Sequence, residues 1–452
     1  MAQLIQHLQH WQAQQCPADV KRYVVALSGG QDSSALLHAL KGISNKPILA
    51  IHVNHGLHPE ADHWQAQCQS QCEAWGIEFK ALRVELETQG KSVEAEARKA
   101  RYAALTGCIK AGDALLTAHH ERDQAETLLL QLFRGAGVAG LAAMPQQASF
   151  AEGYLLRPLL TLPKAALEEY AKANALSWID DPSNADSRLD RNYLRAEVLP
   201  GLRKRWPALD ASLARSAAHS AEADQLLTEL GQADLDNCAL DNSAIADRAL
   251  SIAALRDLSQ ARCANALRLW LRKHGHQAPS TAQLQRIHAD LLVQREDAQP
   301  VFALPEYELR RYRDALYMLE PLPTEPGDVV LAWDANTELD LPPGCGCLRA
   351  VPAQPGAAGL KPGQFQVRFV QGGERIKPPG SPHHRRLKQL FQSSGVPPWV
   401  RMRTPLIYHG QELVAVADVW LNADYLDSDA EMAWRPQWSG GPPGWPVQGS
   451  AA

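Results

Sequence analysis

Between residues 22 and 118, short apolar runs alternate with segments of helical periodicity, and this alternation constrains the fold more than any other feature of the chain. Residues 23–27, 48–53 and 114–118 are apolar runs of strand length without polar alternation, the pattern of strands buried on both faces; 78–84 is a weaker fourth. Trp64, Cys68, Cys72 and Trp75 recur at three- and four-residue spacing, as do Val93, Ala97, Ala100, Ala104 and Cys108, so each set lines one helix face. Gly76 and Gly112 stand where glycine commonly ends such helices. Strands alternating with helices build a parallel sheet with right-handed crossovers. Such sheets bind ligands beyond the carboxyl ends of their strands, where strand order reverses.

The first strand runs into Ser28-Gly29-Gly30-Gln31-Asp32-Ser33-Ser34 and then a helical run. Neither the P-loop pattern G-x-x-x-x-G-K-[ST] nor the dinucleotide pattern G-x-G-x-x-G is present here. Two glycines let backbone N–H groups face an anion without a Cβ in the way, and the following helix presents its unpaired N–H groups and positive dipole end. Ser28, Ser33 and Ser34 add hydroxyls. Asp32 repels phosphate unless Mg²⁺ lies between them, so the residues suit a metal-bridged polyphosphate. They also suit a plain turn with Ser or Asp capping a helix.

Composition limits the rest. The 452 residues suggest two to four domains, with 45% apolar and 21% charged residues as in ordinary globular chains. A net charge of −5 excludes a uniformly basic nucleic-acid coat but not local basic patches. There is no apolar run of about 18 residues, so no membrane span is expected, and the N-terminal stretch lacks the pattern of a secretory signal. Eight scattered cysteines read as reduced thiols in a cytoplasmic protein. The expected division is an α/β domain over 1–212, a helical domain over 213–320 and a small α+β domain over 321–434. The last has a Pro/Gly-rich lead-in, read as linker or turn-rich β structure, and a disordered tail over 435–452 follows.

The stretch SGGQDSSALL resembles the signature of the PP-loop ATP pyrophosphatases, which cleave ATP to AMP and pyrophosphate while adenylating a substrate. Further stretches resemble one family among them, the tRNA(Ile)-lysidine synthases: AIHVNHGLHPEAD, SVEAEARKARY, LTAHHERDQAETLLLQLFRGAG and WIDDPSNADSRLDRNYLR. LKQLFQSSGVPPWVRMRTPLIYHGQELVAVADVW resembles the C-terminal domain of that family's longer form. The matches run in order from about residue 20 to 426.

The resemblance implies a reaction in two steps. ATP adenylates the C2 carbonyl oxygen of the wobble cytidine, number 34, in an isoleucine tRNA with a CAU anticodon. Free lysine then displaces AMP through its ε-amine. Adenylation gives a poor electrophile a leaving group, and the amine, whose pKa is about 10.4 in water, must lose a proton to attack. ATP and Mg²⁺ are the expected cofactors. Ser28, Gly29, Gly30, Gln31, Asp32 and Ser33 are expected to hold pyrophosphate, with Asp32 on the metal. His119 and Asp123, four apart after the third apolar run, are expected to share a helical face as acid/base or orienting groups, though a capping role suits the same place. Asp123 or Glu126 suits the lysine ammonium, Asp123 also a metal, and Arg98 and Arg101 suit ATP or tRNA phosphate; Arg101 is expected among the catalytic residues with Asp32, His119 and Asp123, a solvated basic face being the alternative for the arginines. Two residues depart from the family pattern: Arg122 stands where Asp is common, and so does Asn54, which weakens a metal role there.

Phosphate recognition calls for local cations. One cluster comprises Arg188, Arg191, Arg195, Arg203, Lys204 and Arg205. A second comprises Lys377, His383, His384, Arg385, Arg386 and Lys388, followed by Arg401 and Arg403. The second is expected to dock the acceptor stem while the first domain handles the anticodon loop; a homodimer stays open. Two other readings are a tRNA thiolase and a non-catalytic tRNA binder. The first calls for C-x-x-C pairs, which are absent, and Cys68 and Cys72 read as core; the second is opposed by the complete glycine loop.

Overall fold

The computed structural model describes residues 2–85, 93–182, 186, 188–240, 247–293, 300–354, 358–361, 363–427, 433–442 and 445. The chain divides into two compact units, Met1–Leu227 and Thr228–Ala452.

The first unit runs α1 (Ala2–Gln14), β1 (Arg22–Ala26), α2 (Gln31–Ile43), β2 (Ile48–Asn54), α3 (Ala61–Trp75), β3 (Glu78–Arg83), α4 (Val93–Thr106), β4 (Asp113–Leu116), α5 (Glu121–Phe133), α6 (Val138–Leu141), β5 (Gln147–Phe150), β6 (Gly153–Leu156) and α7 (Lys164–Ala173). Short α8 (Asp190–Tyr193), a π-helical turn (Leu194–Val198), α9 (Leu199–Arg205) and long α10 (Leu209–Cys238) follow. The sheet order is β3-β2-β1-β4-β6-β5, parallel except that β5 runs against β6. The chain moves outward from β1 to β3 and returns to β4 on the other side of β1. Strand order therefore reverses between β1 and β4, the point where sheets of this kind bind ligands.

Alternation along the strands sorts two cores. Tyr23, Val25, Ala114 and Leu116 face Leu36, Leu40 and Leu167 with Leu4 and Leu8 of α1, while Val24, Leu49, Ile51 and Leu115 face Leu105 and Ile109. In α1, Leu4, Leu8 and Trp11 are all buried, each contributing about 2 kcal/mol by leaving water. All four strands expected from the sequence are present within a few residues of their expected ends; β5 and β6 had no such signal. Gly76 caps α3 in the left-handed region at φ 66°. Gly112 does not cap α4, which ends at Thr106; it turns the chain into β4 at φ 85°, and its carbonyl accepts from Lys21 N at 2.7 Å. Residues 183–185 and 187 of the polar loop lie outside the described residues.

The helical region expected over 213–320 also carries strands. Helices Gln260–Lys273 and Thr281–Arg286 are accompanied by an antiparallel sheet of Ala249–Ser251, Ala315–Leu319, Glu308–Tyr312 and Val301–Ala303. Its hairpin turns at Arg313, which takes φ 54°. The strands are three to five residues long, too short to show against the Ala- and Leu-rich helices around them. Ala315, Tyr317 and Leu319 share one core with Leu390, Trp399 and Val416, so packing is continuous across residue 320. The Pro/Gly-rich stretch takes its β alternative: Leu331–Asp334 and Cys347–Pro352 are strands. The disordered tail expected from 435 is also corrected. Trp434–Ser439 pairs with Cys347–Pro352, and the buried Trp438 donates Nε1–H to Cys345 O at 2.6 Å. Residues 443, 444 and 446–452 lie outside the described residues.

Candidate active site

The glycine loop leaves β1 at the crevice. Gly29 takes φ 86°, and a Cβ there would lie 2.4 Å from Ile179 Cδ1 and 2.9 Å from Cys68 Sγ. Only glycine fits both the backbone region and the space. Ile179 N donates to Gly29 O at 2.9 Å, so the segment after α7 fastens the loop from above. Ser28 and Ser33 place their Oγ atoms 3.0 Å apart, Ser33 Oγ donates to Gly30 O at 3.1 Å, and Gly30 N donates to Ser28 Oγ at 3.3 Å. Gly30 is the N-cap of α2 and no side chain caps the helix, which leaves its first-turn amides for an anion.

Asp32, in that first turn, is ion-paired with Lys164 and lies 3.4 Å from His120 Nε2 through Oδ2. Burial pushes its pKa up, but the His120 hydrogen bond and the Lys164 ammonium outweigh burial and hold the carboxyl below the usual range. His120 is the buried N-cap of α5. Its Nδ1 accepts from Arg122 N at 3.2 Å, which puts a proton on Nε2, and its own N–H donates to Asp123 Oδ2 at 3.0 Å. Nε2 faces Asp32 at 3.4 Å and Asp123 at 3.5 Å, so one imidazole joins the end of β1 to the end of β4.

The expectation that His119 and Asp123 share a helical face is corrected. α5 starts at Glu121, so His119 precedes it and bonds Thr117 Oγ1 through Nδ1 at 2.9 Å. Burial pushes the His119 pKa down to about 4; Asp123 opposes this, while Arg157, Arg191 and Arg98 push the same way. The imidazole is neutral at physiological pH. Asp123 takes the capping place: it closes the capping box, and it faces His120 and, at 3.4 Å, Arg195.

Glu126 is buried, 1% exposed, and held by Arg195 through two 2.8 Å bonds and by Arg191 Nε at 3.3 Å. This corrects the first basic cluster. Arg191 and Arg195 pair with Glu126, Arg188 pairs with Asp186, and Arg203 pairs with Asp210, leaving Lys204 and Arg205 exposed beside Trp206. Arg101 and Arg98 also part company: Arg101 Nε donates to His55 Nε2 at 3.3 Å, while Arg98 lies over the Tyr102 ring. Arg122 reaches Asp210 and Glu168 at 3.7 and 3.9 Å, away from the loop. Asn54 is buried; it donates to Asp62 and Gln65 and accepts from Gly56 N, which leaves its amide fully used in shaping the loop after β2.

Three residues of the crevice escaped sequence reasoning. Lys164 follows Pro163 at the start of α7, a cation where the helix dipole disfavours one. His120 carries the His-x-x-Asp spacing of a capping box. Arg157 is an arginine inside an apolar run, 6% exposed, with Nη1 on Pro145 O at 2.7 Å and a buried Nε that has no partner. Among the described residues no group of three His, Cys, Asp or Glu side chains is placed to hold a metal ion.

In the second unit, the strand Arg385–Arg386 pairs with Arg375–Ile376, setting Arg375 directly across from Arg386. Arg375, Arg385, Arg386 and Lys388 are exposed. Like charges in opposed positions destabilise a sheet, so an anionic partner would relieve this one. Arg401 and Arg403 do not belong to the patch: Arg401 bonds Val396 O and Tyr312 Oη, and Arg403 is buried against Trp399 O. Lys377 and His384 face Asp424.

Residues 2–202 match the family description of a PP-loop domain, 250–317 that of a TilS substrate binding domain, and 365–438 that of a TilS substrate C-terminal domain. The chain is 41% identical over 421 residues to a tRNA(Ile)-lysidine synthase of Coxiella burnetii, covering 91% of this chain and 92% of the relative. It is 42% identical over 432 residues to a tRNA(Ile)-lysidine synthase of Serratia proteamaculans, covering 92% and 95%. Among solved structures, the U34-tRNA thiolase NcsA from Methanococcus maripaludis with its [4Fe-4S] cluster aligns at TM-score 0.41 and 20% identity, over 49% of this chain and 79% of that one.

Proposed function

The chain belongs to the tRNA(Ile)-lysidine synthase family, and on that premise we propose how its crevice makes lysidine from ATP, free lysine and tRNA(Ile). The observation that carries the reading is the joining of the glycine loop, through Asp32 and His120, to Asp123 at the point where strand order reverses. The first-turn amides of α2, with Ser28 and Ser33, hold the pyrophosphate end of ATP. This directs the α-phosphorus across the crevice toward the end of β4. The C2 carbonyl oxygen of the wobble cytidine, in a CAU anticodon, attacks that phosphorus, and pyrophosphate leaves. The base unstacks to reach the crevice, as bases do wherever chemistry is performed on them.

The residues present suit Mg²⁺. That ion is commonly bound by one or two carboxylates together with phosphate oxygens, and Asp32 is ionised beside the loop. When bound there, Mg²⁺ would neutralise polyphosphate charge. Asp123 and Glu126 lie on the opposite wall. Asp123, shared between His120 and Arg195, orients the incoming lysine amine and takes up its proton as it attacks C2, displacing AMP. Glu126 is saturated by two arginines and shapes the wall. Arg101 and Arg98 line the β2 side for phosphate. Lys204 and Arg205 of the first unit, and Arg375, Arg385, Arg386 and Lys388 of the second, contact the tRNA backbone.

No helix among the described residues is long and apolar enough to cross a membrane; the enzyme works where tRNA and ATP are, in the cytoplasm. The full chain is incubated with ATP, lysine and tRNA(Ile) transcript, and the digested tRNA is weighed. A lysine adduct at the one anticodon cytidine, formed only when all three are present and matched by pyrophosphate release, is the expected result. Pyrophosphate release with no adduct would overturn the reading in favour of another adenylating reaction.

A further inference from the structure

α7 opens with a lysine, which elementary electrostatics disfavours. A helix N-terminus carries about half a positive charge, which opposes a cation placed there. No acidic residue lies in the first turn of α7 to offset it. The Lys164 side chain is also withdrawn from water, only 15% exposed. What fixes it is built elsewhere in the fold. Pro163 sets the entry to the helix, and Leu162 O accepts from Glu121 N at 3.2 Å, tying this corner to the start of α5. Leu162, Ala166, Leu167 and Tyr170 pack in the core that also holds Leu36 and Leu40 of α2. The starts of α2 and α7 therefore meet at Asp32, and Lys164 reaches the phosphate loop across 132 positions of sequence.

The ion pair by itself is a weak reason for this arrangement. A carboxylate–ammonium pair with partial exposure contributes little to stability, and the helix dipole opposes it. Asp32 is shared as well, since its second oxygen faces His120. An ammonium has three N–H donors, and among the described residues Asp32 is the acceptor Lys164 has. A desolvated cation with donors to spare, beside a loop of open amides, is complementary to an oxyanion carrying more charge than one carboxylate.

We propose that Lys164 is a further catalytic residue: its ammonium hydrogen-bonds the β-phosphate oxygens of ATP and neutralises the pyrophosphate as it departs. The proposal rests on the lysidine-forming reading and deepens it. In the step concerned the cytosine carbonyl oxygen bonds to the α-phosphorus, the bond from that phosphorus to the bridging oxygen breaks, and its electron pair leaves with pyrophosphate. Lys164 gives up no proton. It supplies charge where charge develops, as preorganised donors do, and Asp32 keeps the flexible side chain aimed at the loop.

The test uses the full chain with Lys164→Met and Lys164→Arg. Adenylation is read without lysine, as tRNA-dependent exchange of pyrophosphate into ATP; inorganic pyrophosphate serves as inhibitor to read the contact itself. Lys164→Met is expected to lower kcat/KM for ATP about 100-fold. It should also weaken pyrophosphate inhibition about tenfold or more, the size of one charge-assisted hydrogen bond. tRNA affinity should not change, and Lys164→Arg should recover most of both losses. Should Lys164→Met melt without a cooperative transition, Lys164→Gln takes its place with the same readings. Unchanged pyrophosphate inhibition in a folded variant overturns the proposal, because a merely structural lysine would leave that constant alone. Wild-type protein that forms no lysine adduct overturns the functional reading instead, so the two failures are distinct.

Discussion

At the scale of single residues, the crevice depends on atoms with no room to move. Gly29→Ala adds a Cβ 2.4 Å from Ile179 Cδ1 in a backbone region that costs an L-residue about 1–2 kcal/mol. The expected outcome is that loss in urea denaturation together with a rise in KM for ATP, since relief of the clash moves the loop; an unchanged KM would show that the loop tolerates a side chain. Two histidines give the enzyme a pH signature. Burial brings the pKa of His119 down to about 4, and burial with Arg101 and His52 does the same for His55. The unfolded chain, titrating near 6.5, therefore binds more protons than the native one between pH 6.5 and 4. Their stabilisation is complete above 6.5 and is lost as pH falls toward 4, so the melting temperature should drop through that window. His55→Gln removes one of the two groups and should flatten the drop; a profile identical to wild type would remove His55 from the account. Asp32, held low, acts in a separate window below the usual carboxylate range.

Elements decide which of these residues meet. Four strands, the Cys68 and Cys72 face of α3 and the glycine loop were legible in the sequence because each is a local pattern with a short period. His120, Lys164 and Arg157 were not, because their roles arise from contacts between elements far apart in sequence. The basic cluster misled for the same reason: spacing shows that Arg191 and Arg195 lie four apart, while the buried Glu126 decides that both are paired within the protein. This yields a sharp expectation for Arg195→Ala. The Glu126 carboxyl, 1% exposed, would be left with Arg191 as its remaining cation, and removing one partner of a buried acceptor costs about 1–3 kcal/mol. Arg195→Met with Glu126→Leu should recover most of that, because no charge is then left buried. The midpoint of urea denaturation across the four proteins of the cycle decides it, and equal losses in the single and double variants would show that the pair contributes packing alone.

For the whole molecule, the matter is how a chain of net charge −5 holds a polyanion. Uniform attraction is excluded, so binding has to come from patches, and folding has redrawn them. Arg188, Arg191, Arg195, Arg203, Arg401 and Arg403 are occupied by the protein itself. The exposed group Arg375, Arg385, Arg386 and Lys388 is held together on a two-stranded ribbon and the helix that follows it. Each phosphate neutralised releases condensed counterions, so the logarithm of affinity falls with the logarithm of salt at about 0.7–0.9 per contact. Reversing Arg385, Arg386 and Lys388 to glutamate should lower tRNA(Ile) affinity at low salt and reduce that slope by about two to three. The glycine loop belongs to the other compact unit, so pyrophosphate inhibition should be untouched. Filter binding across a salt series measures the slope. A slope equal to that of wild type would show that this ribbon does not touch the RNA backbone, and would move the search to Lys204 and Arg205 in the first unit.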